Sequence, residues 1–177
     1  MSRLRLLSLA VVVAAAVAFP AAAAATSTTT INPANAPTGT HFKSGTASCS
    51  VSGNVANCTG YTLAGVGNSN AMATLSATYT GTVVCVNNGG NTSDSQHQGT
   101  FTSTSSTGTL QSKNGNLTVP SLSSTAPTPQ QFIAQQTCPN PNWTPTLQGP
   151  ITLSSFTYTL TFAGFSGPYI TITGNDP

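Results

Sequence analysis

The side chains able to do acid–base or metal chemistry are few. Beyond Arg3 and Arg5 the chain carries only Lys43, Lys113, Asp94 and Asp176 as ionised groups. His41 and His97 are the only imidazoles that could serve as a general base. Nucleophilic hydrolysis needs a nucleophile, a base and a group that orients the base. Hydroxyls abound, but there is no G-x-S-x-G. The one local acid–base pairing, in Asp94-Ser95-Gln96-His97, reads as a solvated polar loop. Paired carboxylates for glycoside cleavage have only Asp94 and the nearly C-terminal Asp176 to draw on. Asn88-Gly89-Gly90 offers pliant backbone without a following helix, so it makes no phosphate cradle. The cysteines lack a C-x-x-C, and neither histidine is close to one in sequence, which argues against zinc. The expectation is a protein that is not an enzyme and needs no cofactor or metal.

Neutral recognition is what remains. Trp143, the only tryptophan, lies in Cys138-Pro139-Asn140-Pro141-Asn142-Trp143. An exposed indole beside Asn140 and Asn142 can stack on a sugar ring while the amides bond its hydroxyls. The competing role is a tryptophan that covers the edge of the core. Alternating threonines recur at Thr100/Thr102/Thr104, Thr157/Thr159/Thr161 and Thr171/Thr173. Such ladders can order water for ice binding. Threonine is also favoured on exposed strand faces, and the tracts are not spaced as a repeat, so they are read as ordinary strand surface. Asn57, Asn91, Asn116 and Asn142 each begin an Asn-x-Ser/Thr acceptor, which matters only in a host that glycosylates them.

These groups must be positioned by strands. From His41 onward the pattern is alternating and no segment reads as a convincing helix. Thr46 to Val51 and Val55 to Leu63 flank Gly53-Asn54, a two-residue hairpin turn. Ala71 to Val86 is the clearest strand, with Leu75, Ala77, Tyr79, Val83 and Cys85 on one face. Weaker strands are expected at Gly99 to Ser103 and Thr107 to Ser112. Asn114-Gly115 marks a second tight turn into Leu117 to Leu122. Ser123 to Pro150 reads as irregular, with a short helical turn at Gln130 to Gln135. Ile151 to Phe162 and Tyr169 to Thr173 alternate again. The expected fold is all-β: an antiparallel β-sandwich, of immunoglobulin-like type, with a β-barrel as the alternative.

Ahead of this domain stand Arg3, Arg5, an apolar run from Leu6 to Phe19 and the small residues Ala21 to Ala25. A positive start, a short apolar stretch and an A-x-A site make a cleavable secretory signal peptide. The run is shorter than the ~18–20 residues that span hydrocarbon. The expected organisation is a signal-peptide helix within 1–25, a flexible leader at 26–40 and one β domain at 41–177. The mature chain then has balanced charge. That removes the electrostatic term behind most nucleic-acid affinity and the attraction to anionic lipid.

Cysteines of an exported chain read as disulfides. Counting outward from Gly53-Asn54, Cys49 faces Cys58 at a non-hydrogen-bonded position, where Cα atoms lie roughly 4.5 Å apart. That separation suits a disulfide. Cys85 pairs with Cys138 by elimination.

The segments Ala47-Ser48-Cys49, Cys58-Thr59-Gly60-Tyr61-Thr62-Leu63-Ala64-Gly65-Val66-Gly67-Asn68, Cys85-Val86-Asn87-Asn88-Gly89-Gly90-Asn91 and Cys138-Pro139-Asn140 resemble small exported proteins of actinobacteria. That resemblance brings no activity and no site residues. The low-charge, Thr/Asn/Gly-rich make-up is similar to bacterial cellulose-binding modules, which present several coplanar aromatics where this chain has one tryptophan. The sequence therefore predicts a secreted, extracellular or cell-surface binding module for a neutral ligand: glycan, cell wall or protein. Its ligand surface would be Trp143, Asn140, Asn142 and Asn88. The alternative is a self-associating coat or adhesive protein, because near-zero net charge promotes association.

Overall fold

The computed structural model describes residues 26–92 and 96–175. The apolar run from Leu6 to Phe19, with its expected helix, lies outside the described residues, as do Asp94 and Asp176.

The strands are β1 (Thr26–Ile31), β2 (His41–Ser44), β3 (Cys49–Ser52), β4 (Val55–Cys58), β5 (Tyr61–Ala64), β6 (Ala71–Val86) and β7 (His97–Ser106). They continue with β8 (Asn116–Val119), β9 (Leu122–Ser123), β10 (Thr144–Phe162) and β11 (Ile170–Asn175), and one short helix, α1 (Pro129–Ile133), precedes β10. All strand pairs are antiparallel. One sheet runs β1-β11-β10-β6-β7. Two smaller ones, β2-β5-β8 and β3-β4-β9, pack against it.

Alternation explains the layering. Leu75, Ala77 and Tyr79 on β6 and Tyr158, Leu160 and Phe162 on β10 point to one side, where they meet Leu63, Leu117 and Ala56 from the small sheets. This is the all-β sandwich that the alternation predicts. The immunoglobulin-like variant finds no support here, since neither disulfide joins facing sheets and Trp143 lies outside the core.

Two hydroxyl contacts tie the layers. Tyr61 Oη and Tyr158 Oη are 2.9 Å apart across the sandwich. Tyr79 Oη lies 2.8 Å from Ser124 Oγ, which also accepts from the Ala56 amide at 2.9 Å. Every buried side-chain polar atom among the described residues has a partner. Burial chiefly, then neighbouring Tyr158, pushes the Tyr61 pKa far above the ordinary tyrosine range. Burial also raises Tyr158, against an opposing effect of its hydrogen bond to Tyr61.

Leu153 and Phe156 both face the core, although a spacing of three cannot share one face of a regular strand. The pairing shifts between Leu153 and Ser155, so the extra residue restores the phase for the rest of β10. Beside this irregular stretch the Asn54 side chain donates to the Ile151 carbonyl at 2.6 Å and accepts from the Leu153 amide. The tip of the β3–β4 hairpin is thereby fastened to the long strand.

Several elements differ from the sequence reading. The expected flexible leader contains β1, which pairs along its whole length with β11. An edge strand contacting one neighbour shows no clear alternation of its own, and the run Thr-Ser-Thr-Thr-Thr hides it. The expected strand from Val55 to Leu63 breaks at Thr59-Gly60, and its halves join different sheets. A Cβ at Gly60 would lie 3.1 Å from the Val119 carbonyl oxygen, so the chain crosses closely there. Thr107 to Ser112 contributes a bridge, Leu110 to Ala71, and no strand. Pro120 separates β8 from β9. β10 begins at Thr144, inside the stretch read as irregular, with Pro145 and Pro150 within it.

α1 matches the expected helical turn. Thr128 caps it: its side chain accepts from the Gln131 amide and the Gln131 side chain accepts from the Thr128 amide. Phe132, fully buried, is its anchor. Gly81 and Gly99 face each other across β6 and β7. A Cβ on either would come within 3.2 Å or less of the Phe132 ring. The glycine pair is the slot the ring occupies.

Candidate functional site

The disulfides are Cys49–Cys58 and Cys85–Cys138, with Cα separations of 4.1 and 5.9 Å. Cys49 pairs with Cys58 in the register counted from the turn. At that turn Gly53 has φ 57° while Asn54 is not in the positive region, the pattern of a type II′ turn with glycine first. Asn114 and Gly115 both have positive φ, 51° and 69°, the type I′ pattern. Two disulfides fit an oxidising compartment.

Cys85–Cys138 decides the geometry of the candidate ligand end. It fixes the segment after α1 to the end of β6, and β10 starts at once beside it, with Thr144 paired to Val86 and Pro145 to Cys85. Trp143 therefore precedes the first paired residue of β10, at the end of the sheet where the Asn87–Asn91 turn leaves β6. Trp143 is half-buried, intermediate between the open platform and the core-edge role. Its amide donates to the Asn140 carbonyl at 3.1 Å, and the Asn142 amide donates to Asn140 Oδ1 at 3.0 Å. Asn140 thus spends one side-chain acceptor on shaping the turn. Asn140, Asn142 and Asn88 are exposed. Across the gap Asn87 Oδ1 accepts from the amides of Gly89 and Asn91, at 2.9 and 3.0 Å, which orders the glycine turn without a helix.

The remaining candidates are dispersed. His41 is exposed on β2, with Nδ1 2.8 Å from the Gly39 carbonyl oxygen. His97 opens β7 in the large sheet, opposite Val83. Lys43 and Lys113 converge although seventy positions apart in sequence. Both line an open depression with Thr62, Asn114 and Asn116, and Lys43 Nζ donates to Asn116 Oδ1 at 3.1 Å.

A further feature escaped the sequence reading. The threonine tracts line up across all five strands on the outward face of the large sheet. Thr30, Thr171, Thr159, Thr74 and Ser106 form one cross-strand row. Thr28, Thr173, Thr157, Ser76 and Thr104 form the next. Ser155, Thr78 and Thr102 continue the pattern, followed by Thr152, Thr80 and Thr100. The signal was present as period-two threonines. Their common register was not, because it depends on strand order and on the extra residue in β10.

Fold and site together define a disulfide-stapled antiparallel β-sandwich with an aromatic–amide end and a hydroxyl-covered open face. Set against protein-family models, curated proteins and solved structures, the chain matches none.

Proposed function

We propose that this chain is a secreted, non-catalytic binding module, acting in the extracellular space or on the cell surface, whose ligand is neutral and rich in hydroxyls, as a glycan or cell-wall polymer is. The observation that carries this reading is the joining of Trp143, with the exposed amides of Asn140 and Asn142, to the Asn87–Asn91 turn by the Cys85–Cys138 bridge. A rigid ring takes the apolar face of a sugar, and amides take its hydroxyls. Export through the leader supplies the oxidising route in which both disulfides form. Among the described residues there is no carboxylate, and the two lysines lie in the depression on the β2-β5-β8 sheet, away from Trp143.

The test is retention of the purified mature protein on a panel of insoluble polysaccharides and cell walls. Retention on one of them, weakened by about 2 kcal/mol or more in Trp143→Ala with unfolding unchanged, supports the reading, because aromatic anchors carry a large share of binding energy. Retention that survives Trp143→Ala, or an absence of retention on every member, overturns it.

Self-association as a coat protein is the second reading, and β1 favours it. This edge strand is exposed and holds no charged residue or proline to discourage pairing with another copy. Sedimentation that shifts with concentration in the absence of ligand, and is abolished by Thr29→Pro, marks that outcome.

A further inference from the structure

The outward face of the five-stranded sheet carries a second feature, which does not depend on the reading of the Trp143 end. From Thr74 to Thr82 on β6, and from Thr100 to Ser106 on β7, every outward position is Thr or Ser. The same holds on β10 from Ser155 to Thr161. Antiparallel sheets commonly leave one face to water, and threonine suits such a face. What needs explaining is the combination. Among the described residues the face carries no charge, and its large apolar side chains lie at its ends, Met72 at one corner and Val84 and Val86 beyond Thr82. No aromatic ring lies on it, because Tyr79, Tyr158 and Phe156 point into the core and Phe101, facing Tyr79, sits on their side.

Each absence removes a class of partner. Without charge there is no attraction for a polyanion. Without a ring there is no platform for the apolar face of a sugar. Without an apolar patch there is little area to bury against another protein. What the face does hold is a grid. Same-face residues repeat every ~6.7 Å along a strand and ~4.8 Å between strands. Two periods in a rectangular net are also the geometry of oxygen rows on a prism face of ice. Threonine is suited to meet them, since its β-branched side chain is stiff at χ1 and presents a hydroxyl and a methyl in a fixed direction. Hydroxyls held in register gain from cooperative hydrogen bonding with an ordered water layer.

We infer that this face adsorbs to ice, through the rows of Thr28/Thr173/Thr157/Ser76/Thr104 and Thr30/Thr171/Thr159/Thr74/Ser106. Because neighbouring strands twist by ~20–25°, two or three adjacent strands of these rows meet one crystal plane at a time. The activity expected is therefore adsorption to growing crystals and restraint of grain growth.

The test uses purified mature protein, slow growth of polycrystalline ice and measurement of protein in the ice and liquid fractions. Grain size in frozen sucrose solution is followed in parallel. Wild-type protein is expected to enrich in the ice fraction and to keep grains small. Thr157→Lys, at an exposed position in the middle of the grid, should fall to the level of an inert control protein, while Thr118→Lys on the exposed side of β8 keeps the activity. Circular dichroism confirms that both variants fold, and Thr102→Lys on β7 replaces Thr157→Lys should that one fail. Exclusion of the wild type from ice overturns the inference. So does equal loss in both variants, or a face-to-face dimer abolished by Thr157→Lys, which would assign the grid to a second copy.

Discussion

Removal of one hydroxyl from the Tyr61–Tyr158 pair gives a sharp test of how the two layers are joined. Each hydroxyl is the other's only side-chain partner, at 2.9 Å, between residues 4 % and 1 % exposed. Tyr61→Phe leaves the Tyr158 hydroxyl buried without a partner, and Tyr158→Phe does the same to Tyr61. An orphaned buried group costs its full desolvation, so each single change should destabilise by about 1–3 kcal/mol. Replacing both removes the orphan and preserves the shape, and the double variant should lie within about 1 kcal/mol of wild type. Urea unfolding at pH 7, read as midpoint shifts at constant slope, measures all three. A double variant whose loss equals the sum of the singles would refute the reasoning. The same pair fixes the alkaline response. Burial raises both pKa values, so the fold holds the neutral forms more firmly than the unfolded chain does. This stability is fully present below the ordinary tyrosine pKa of ~10 and is lost as pH rises above it. Tyr61→Phe/Tyr158→Phe should flatten that alkaline limb.

Phe132→Ala empties the slot above Gly81 and Gly99 and should cost about 3–5 kcal/mol, measured by the same unfolding. A loss below 1 kcal/mol would mean that α1 is a detachable lid. Closing the longer loop removes more unfolded-state freedom, so Cys85→Ser/Cys138→Ser should destabilise by about 4 kcal/mol and Cys49→Ser/Cys58→Ser by about 2.5, in the chain-entropy model for separations of 53 and 9. Peptide mapping without reductant should return only these two linkages, and guanidinium midpoints should rank them in that order. With two side-chain carboxylates in the whole sequence, acid has few native charges to neutralise. Near-ultraviolet dichroism should therefore be retained at pH 2, and its loss there would show that Asp94 or Asp176 holds a structural contact.

Much of the sandwich is determined by the sequence alone. Strict alternation from Ala71 to Val86 marks a strand buried on one face, and the structure has it with the same bounds. Gly53-Asn54 sets the hairpin register, and that register alone places Cys49 opposite Cys58. The capping box of Thr128 and Gln131 is local too, and the helix it opens overlaps the short turn expected at Gln130 to Gln135. These features depend on residues near in sequence.

What the tertiary structure decided depends on distant partners. β1 exists because β11 offers an edge, and nothing within Thr26–Ile31 discloses that. The split at Gly60 reflects two sheets competing for one run of residues. Trp143 is brought to the same end of the sheet as the Asn87–Asn91 turn by a bridge and a strand pairing. The threonine grid is the clearest case: each strand supplies a column by its own period of two, but rows form only when strand order and register bring five columns together. Alternation is a property of one strand, and a lattice is a property of the sheet.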